Sequence, residues 1–157
     1  GTTSSEDKAE LAYKAGADHI ILYTKDDFVE STKNYIGENQ MHVVYDSVGK
    51  TTLNKSLSLL RQRGSLISFG QSSGSPPSIN PLELQKQGSI YLTRPTLASY
   101  IQNADELEKR TDTLFQWIND GTLNIRIDRQ LDLDDAHEAH RLLESRSTAG
   151  KILLRVN

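Results

Sequence analysis

The sequence predicts an α/β fold with a doubly wound parallel sheet. Short apolar runs of strand length alternate with amphipathic segments of helix length, the connections between them are short, and glycines follow the expected helices. Such an alternation is typical of parallel strands joined by right-handed helical crossovers. We therefore expect one sheet with helices on both faces.

The first helix shows how each element is justified. Ser4 and Asp7 have the spacing of a capping box, and Gly16 is placed to end the helix. The apolar run 20–22 that follows is too short for a buried helix, which favours a buried strand. The same reasoning, applied along the chain, predicts helices at 5–15, 26–36, 51–62 and 82–87 and strands at 17–23, 41–45, 65–69 and 89–93.

Beyond Pro95 the rhythm changes. Helices are predicted at 104–119 and 134–145, and each is followed by a strand in which apolar residues alternate, around 123–127 and 152–156. Alternation is typical of a half-exposed or antiparallel strand. We therefore divide the chain into a doubly wound α/β part, 1–95, and a C-terminal α+β part, 96–157.

Composition excludes several classes of protein. The net charge is −3 with both signs interspersed, which argues against a surface built for nucleic acid, and no apolar run approaches the roughly 20 residues that span a bilayer. The absence of cysteine excludes disulfides and thiolate zinc sites. We expect a cytoplasmic protein. Because the chain lacks an initiator Met and opens on what looks like a strand exit, we also expect a piece of a longer protein.

The ends of the parallel strands are where such a sheet binds ligands. The first strand exit carries Ser4 and Ser5, with Lys8 in the helix that follows, and no acid occupies the exit itself. Hydroxyls, backbone N–H groups and an ammonium favour the 2′-phosphate of NADP over the free ribose of NAD. A capped surface helix with a solvated lysine has the same composition.

Two further strand exits are rich in small and polar residues. Ser47 and Val48 lie in a turn that a ribose or nicotinamide could approach, and 69–74 offers backbone donors to a carboxamide or phosphate. Loops with a purely structural role have the same composition. His137 and His140 are spaced for metal binding but lack a third ligand nearby, so no metal site is predicted.

Several runs taken together resemble a known family. They are Val43–Gly49, Arg63–Ser65, Ser68–Gly74, Leu92–Leu97, Leu143–Arg146 and Gly150–Lys151. In this order they resemble the NADPH:quinone oxidoreductases, the zeta-crystallin-like, zinc-free branch of the medium-chain dehydrogenase/reductase superfamily. The likeness runs through essentially the whole chain.

The resemblance implies NADPH as cofactor and a set of residues that bind it. Ser4, Ser5, Lys8 and Tyr23 match the segments that hold the adenosine 2′-phosphate. The other matching positions lie along the cofactor and beside the nicotinamide: Ser47, Val48, Phe69, Gly70, Gln71, Ser72, Leu92, Thr93, Arg94 and Lys151.

The resemblance further implies an oxidoreductase that transfers hydride from NADPH to a quinone. An enoyl or alkenal reductase acting on an unsaturated carbonyl is the alternative within the superfamily, and a non-catalytic nucleotide- or RNA-binding module is the alternative outside it. For an RNA-binding surface the chain offers only Lys55, Arg61 and Arg63, interpreted as a solvated helix face.

By the same resemblance the sheet is an incomplete Rossmann-type sheet. It lacks its first strand, the Gly-rich turn and the GroES-like domain that carries the catalytic residues. Zinc is not expected, and dimerisation is expected through the strand Ser89–Thr93. The isolated chain is predicted to be inactive.

Overall fold

The computed structural model describes residues 1–145 and 147–156, so Arg146 of the quoted runs lies outside the described residues. The chain forms two compact units, Gly1–Ser99 and a second from Tyr100 onward. The first contains β1 (Thr2–Thr3), α1 (Glu6–Lys14), β2 (Ile21–Leu22), α2 (Phe28–Ile36), β3 (Met41–Asp46), α3 (Leu53–Leu57), β4 (Leu60–Ser68), α4 (Pro81–Lys86) and β5 (Tyr91–Thr93). The second contains α5 (Ala104–Asn119), β6 (Ile127–Asp132), α6 (Ala136–Glu144) and β7 (Lys151–Arg155).

All strand pairs are parallel, which confirms the predicted fold class. The first unit has two separate sheets, β1–β2 and β3–β4–β5, in place of the single sheet we expected. Among the described residues no strand pairs with the outer edge of β1 or with that of β3.

The core of the first unit lies against one face of the three-stranded sheet. Leu66 of β4 is fully buried and packs with Leu53, Leu57, Leu60 and Ile90. The opposite face is open, since Tyr45 is 72% and Tyr91 64% exposed. The described residues therefore bury one face of this sheet more fully than the other.

The region from α3 to β4 differs most from its prediction. The helix ends at Leu57 instead of residue 62, and β4 begins at Leu60, opposite Met41. The register then slips, because Val43 pairs with Ser65, so the strand bulges between Leu60 and Ser65. Arg61 and Arg63 lie on this exposed bulge and not on a helix face, and Arg63 has a positive φ of 57°.

The second unit decides between two alternatives and corrects one expectation. Strands β6 and β7 are parallel, since α6 crosses between them, so the alternating strands are the half-exposed and not the antiparallel alternative. Residues 123–126 are not strand, because the Leu123 N–H donates to the Trp117 carbonyl at 2.8 Å and closes the end of α5. No described helix is both long and apolar enough to cross a membrane.

Candidate functional site

The exits of β1 and β2 lie side by side. Thr3 pairs with Leu22, the Tyr23 N–H donates to the Thr3 carbonyl at 3.1 Å, and the Thr24 hydroxyl donates to the Ser4 carbonyl at 3.0 Å. The two strand exits are thus joined by hydrogen bonds. Ser4 and Tyr23, which are far apart in sequence, are brought to the same end of this sheet.

Ser5 begins α1. Its hydroxyl accepts a hydrogen bond from the Lys8 N–H at 3.4 Å, so Ser5 and not Ser4 is the capping residue. Lys8 follows one turn into the helix and is partly buried. The positive end of the α1 dipole therefore faces the strand exits, next to Ser4 and Ser5.

Sequence reasoning missed one ion pair at this end of the sheet. Lys25 Nζ lies 2.7 Å from Glu6 Oε1, and both side chains are largely exposed. The hydrogen bond to Glu6 raises the pKa of Lys25. The signal was present in the sequence, because Glu6 and Lys25 each follow a predicted strand by only a few residues.

Asp46 organises the turn after β3. It is 4% exposed, and its carboxylate accepts hydrogen bonds from the N–H groups of Val48 and Gly49 at 2.8 and 2.9 Å. The hydroxyls of Thr52 and Ser56 also donate to it, each at 2.8 Å to Oδ2. Burial raises the pKa of Asp46, but these four donors together outweigh burial and hold the pKa below its ordinary value.

The turn 46–49 is locked against the loop that follows β4. The Phe69 N–H donates to the Asp46 carbonyl at 2.9 Å, and the Ser72 N–H donates to the Ser47 carbonyl at 3.2 Å. Ser73, which was not singled out from sequence, donates its hydroxyl to the Val48 carbonyl at 2.7 Å. The predicted residues of both loops are therefore brought into one group.

Gly70 shows how closely these loops pack. A Cβ at this position would lie 2.3 Å from the Ser47 carbonyl oxygen and 2.7 Å from the Ser47 Cα. Only glycine allows the two backbones to approach this far. The Ser47–Gly70 contact leaves the half-exposed Phe69 ring at the strand ends.

Arg94 joins the third loop to this group. Its Nη1 donates to the Gly70 carbonyl at 2.6 Å and to the Ser68 carbonyl at 3.0 Å. Leu92 and Thr93, just before it, pair with Leu66 and Ile67. The guanidinium thus holds the exit of β4 against the exit of β5.

The predicted cofactor residues therefore form two groups in the first unit, one at the exits of β1 and β2 and one at the exits of β3, β4 and β5. Lys151 belongs to neither group, since it begins β7 in the second unit. There it borders a cleft with mostly apolar walls, formed with Ile118, Leu123, Asn124, Ile125, Ile127, Leu153 and Gly121.

Comparison with known proteins shows the family of the chain. A family model described as zinc-binding dehydrogenase matches residues 15–154. The chain belongs to this family. The zinc-binding dehydrogenase model thus covers both units.

The family's description raises the question of a zinc ion. Within 1–145 and 147–156, no three His, Cys, Asp or Glu side chains converge closely enough to hold a metal. His137 and His140 are both exposed on α6. The residues that the structure describes do not fit a zinc ion, and no chemical step is assigned to one.

Individual relatives are more specific than the family model. Quinone oxidoreductase 1 of Escherichia coli is 42% identical over 98% of this chain and 48% of its own length. A 2-haloacrylate reductase of Burkholderia is 39% identical over 98% of this chain and 46% of its own. The structure of the E. coli quinone oxidoreductase complexed with NADPH superposes with a TM-score of 0.90, at 41% identity over 99% of this chain and 48% of that one. The chain spans about half the length of the curated relatives it matches.

Proposed function

We propose that this chain is the NADPH-binding half of an NADPH-dependent quinone reductase. The observation that carries the proposal is the packing of the loops after β3, β4 and β5 into one rigid group, in a chain that superposes on a quinone oxidoreductase complexed with NADPH. When bound, NADPH supplies the hydride. The chain's own residues hold and orient the cofactor and keep water away from it.

In this proposal the exits of β1 and β2 receive the adenosine 2′-phosphate. Ser4 and Ser5 supply hydroxyls and backbone donors, Lys8 supplies the charge, and the Tyr23 hydroxyl, half-exposed at the next strand exit, supplies a further donor. A charged donor to a phosphate is worth about 1.5–3 kcal/mol, so its loss weakens binding roughly tenfold to a hundredfold.

Fluorescence titration of the complete protein with NADPH and NADH tests this assignment. Lys8→Ala should lose most of the preference for NADPH and leave the affinity for NADH nearly unchanged. Lys14→Ala, in the last turn of the same helix, is the matched control and should leave both affinities unchanged. Equal affinity of the unaltered protein for the two cofactors would refute the assignment.

The second group is proposed to hold the nicotinamide end. Ser47 and Val48 lie along the cofactor, Phe69, Gly70, Gln71 and Ser72 lie beside the nicotinamide, and Leu92, Thr93 and Arg94 close the site at the exit of β5. Lys151 is proposed as a later contact from the C-terminal part. The side-chain amide of Gln71 suits the carboxamide of nicotinamide.

We further propose that 1–95 is a Rossmann-type domain completed by a strand and a Gly-rich turn from elsewhere in the longer protein. In the strand order 3-2-1-4-5-6 that strand lies between the strands that correspond to β1 and β3, with whose outer edges no strand of the described part of the chain pairs. The part 96–157 is proposed to pack with a catalytic domain, and the apolar cleft beside Lys151 is a surface suited to that contact.

The identity of the electron acceptor distinguishes a quinone reductase from an enoyl or alkenal reductase. The proposal expects rapid oxidation of NADPH by 1,4-benzoquinone in stopped-flow measurements on the complete protein. The similarity to a 2-haloacrylate reductase favours an unsaturated carbonyl as the second candidate, for which a 2-alkenal is the matching probe. Turnover with neither probe would refute both activities. The isolated 157 residues should show negligible turnover, and robust turnover would refute the proposed division of the enzyme.

We also propose a zinc-free, cytoplasmic homodimer that associates through β5. In the described sheet β5 is an edge strand, so its outer side is open to a second copy. Sedimentation equilibrium of the complete protein should give a dimer, and removal of metal with EDTA should leave turnover unchanged. A monomer, or loss of turnover with EDTA, would refute the corresponding part of the proposal.

A further inference from the structure

The ion pair between Glu6 and Lys25 lies at the exits of β1 and β2, where the proposed function puts the 2′-phosphate. Glu6 is the first acid after β1, in the opening turn of α1 next to Ser5. In dinucleotide-binding sheets, an acid near the second strand binds the ribose 2′-hydroxyl and favours NAD, whereas a 2′-phosphate needs positive charge there. An unpaired Glu6 would therefore oppose the phosphate.

Lys25 comes from the neighbouring strand exit and reaches Glu6 at 2.7 Å. The Thr24 hydroxyl, bonded to the Ser4 carbonyl, holds the backbone just before Lys25 against the exit of β1. The side chains of Glu6 and Lys25 are 73% and 62% exposed, so the pair faces solvent at this end of the sheet. Asp26, which follows Lys25 in the sequence, adds a further negative charge that acts on Lys25.

We propose that Lys25 is a specificity-determining residue, which favours NADPH over NADH by neutralising Glu6. This inference rests on the proposed function, because it takes the exits of β1 and β2 as the 2′-phosphate site. It predicts that substitution of Lys25 and substitution of Glu6 change the NADPH affinity in opposite directions. Removing Lys25 leaves a carboxylate facing the phosphate, whereas removing Glu6 leaves an additional ammonium.

The test is a set of charge variants of the complete protein, titrated with NADPH and with NADH at low ionic strength. Lys25→Met should weaken NADPH binding about threefold to tenfold, the range expected for one exposed charge a few ångströms from the phosphate. Glu6→Gln should strengthen NADPH binding by a smaller factor. The double variant, which restores the original net charge, should return the ratio of the two affinities to near its starting value. All of these effects should shrink at high salt.

The second ion pair of α1 provides the matched control. Glu10 and Lys14 lie on the same helix, 2.6 Å apart and equally exposed, but further from its N-terminus. Glu10→Gln and Lys14→Met make the same charge changes and should leave the ratio of NADPH to NADH affinity unchanged. A ratio that Glu10→Gln changes as much as Glu6→Gln would overturn the inference.

The outcomes separate this inference from the proposed function. If Lys8→Ala abolishes the NADPH preference but Lys25→Met weakens both cofactors equally, the 2′-phosphate site stands and the role of Lys25 is refuted. If the unaltered protein shows no preference for NADPH, both the 2′-phosphate site and the role of Lys25 are refuted.

Discussion

Replacing Asp46 tests whether one buried carboxylate organises the loops at the strand ends. Asp46→Ala removes the acceptor for two backbone N–H groups and two hydroxyls at a position that is 4% exposed. At about 1 kcal/mol for each lost hydrogen bond, the free energy of unfolding should fall by roughly 4 kcal/mol. Asp46→Asn keeps one acceptor oxygen for the N–H groups and loses mainly the charge, so it should cost only about 1–2 kcal/mol.

Urea unfolding of the full chain, followed by circular dichroism, measures both costs. Hydrogen exchange at the Val48 and Gly49 amides measures the local effect, and both amides should exchange faster in Asp46→Ala. A cost below about 1 kcal/mol for Asp46→Ala, or equal costs for the two variants, would refute the assignment of the turn to this carboxylate.

The same carboxylate predicts a pH dependence. Its folded pKa lies below the ordinary value of 3.8, so its contribution is complete above that pH and is lost as the pH falls through the folded pKa. The difference in unfolding free energy between the unaltered chain and Asp46→Asn should therefore be constant near neutral pH and shrink below 3.8. A difference that stays constant into strong acid would contradict the lowered pKa.

Two other substitutions probe the same group of loops. Gly70→Ala forces apart backbones that would meet its Cβ at 2.3 Å, so the NADPH affinity of the complete protein should fall at least about tenfold. Gly16→Ala is the control, because no atom lies within 4 Å of its Cβ and only a φ of +97° strains it. It should cost about 1 kcal/mol of stability and leave the NADPH affinity unchanged. Arg94→Ala removes the donor to the Ser68 and Gly70 carbonyls and should therefore speed hydrogen exchange in 69–73. Arg94→Lys should restore part of the protection. Unchanged exchange in Arg94→Ala would show that the guanidinium does not hold this loop.

Local signals predicted the ends of α1 and α2 well. Gly16 and Gly37 end their helices with positive φ, as their positions predicted, because glycine adopts that backbone conformation at little cost. The capping serine was assigned one residue too early, since Ser4 and Ser5 are chemically alike and only the backbone at Ser5 places a hydroxyl over the Lys8 N–H. Such a choice depends on coordinates and not on residue type.

Contacts between residues that are distant in sequence decided the structure where the local sequence pattern predicted it wrongly or not at all. Residues 58–62 suit a helix, yet Leu60 is drawn into a ladder opposite Met41, and the chain absorbs the mismatch in a bulge at Arg61–Gly64. Gly64 is required there, since a Cβ would lie 2.9 Å from the Arg61 carbonyl oxygen. The pairing of Glu6 with Lys25 was likewise missed, because its signal lies in their positions after two neighbouring strands and not in their sequence separation of 19.

The two groups of site residues lie on two sheets that are not hydrogen-bonded to each other. A link between the elements of these sheets is Lys55 of α3, which lies 2.6 Å from Asp27 at the start of α2 and 5.7 Å from the centre of the Phe28 ring. Both charged side chains are about half exposed, and a pair of this kind contributes about 0–1 kcal/mol. So weak a link does not by itself hold the phosphate end and the nicotinamide end of one cofactor at a fixed spacing. The proposed strand between β1 and β3 would do so through backbone hydrogen bonds on both sides, and it would bind its Gly-rich turn to the middle of the cofactor at the same time.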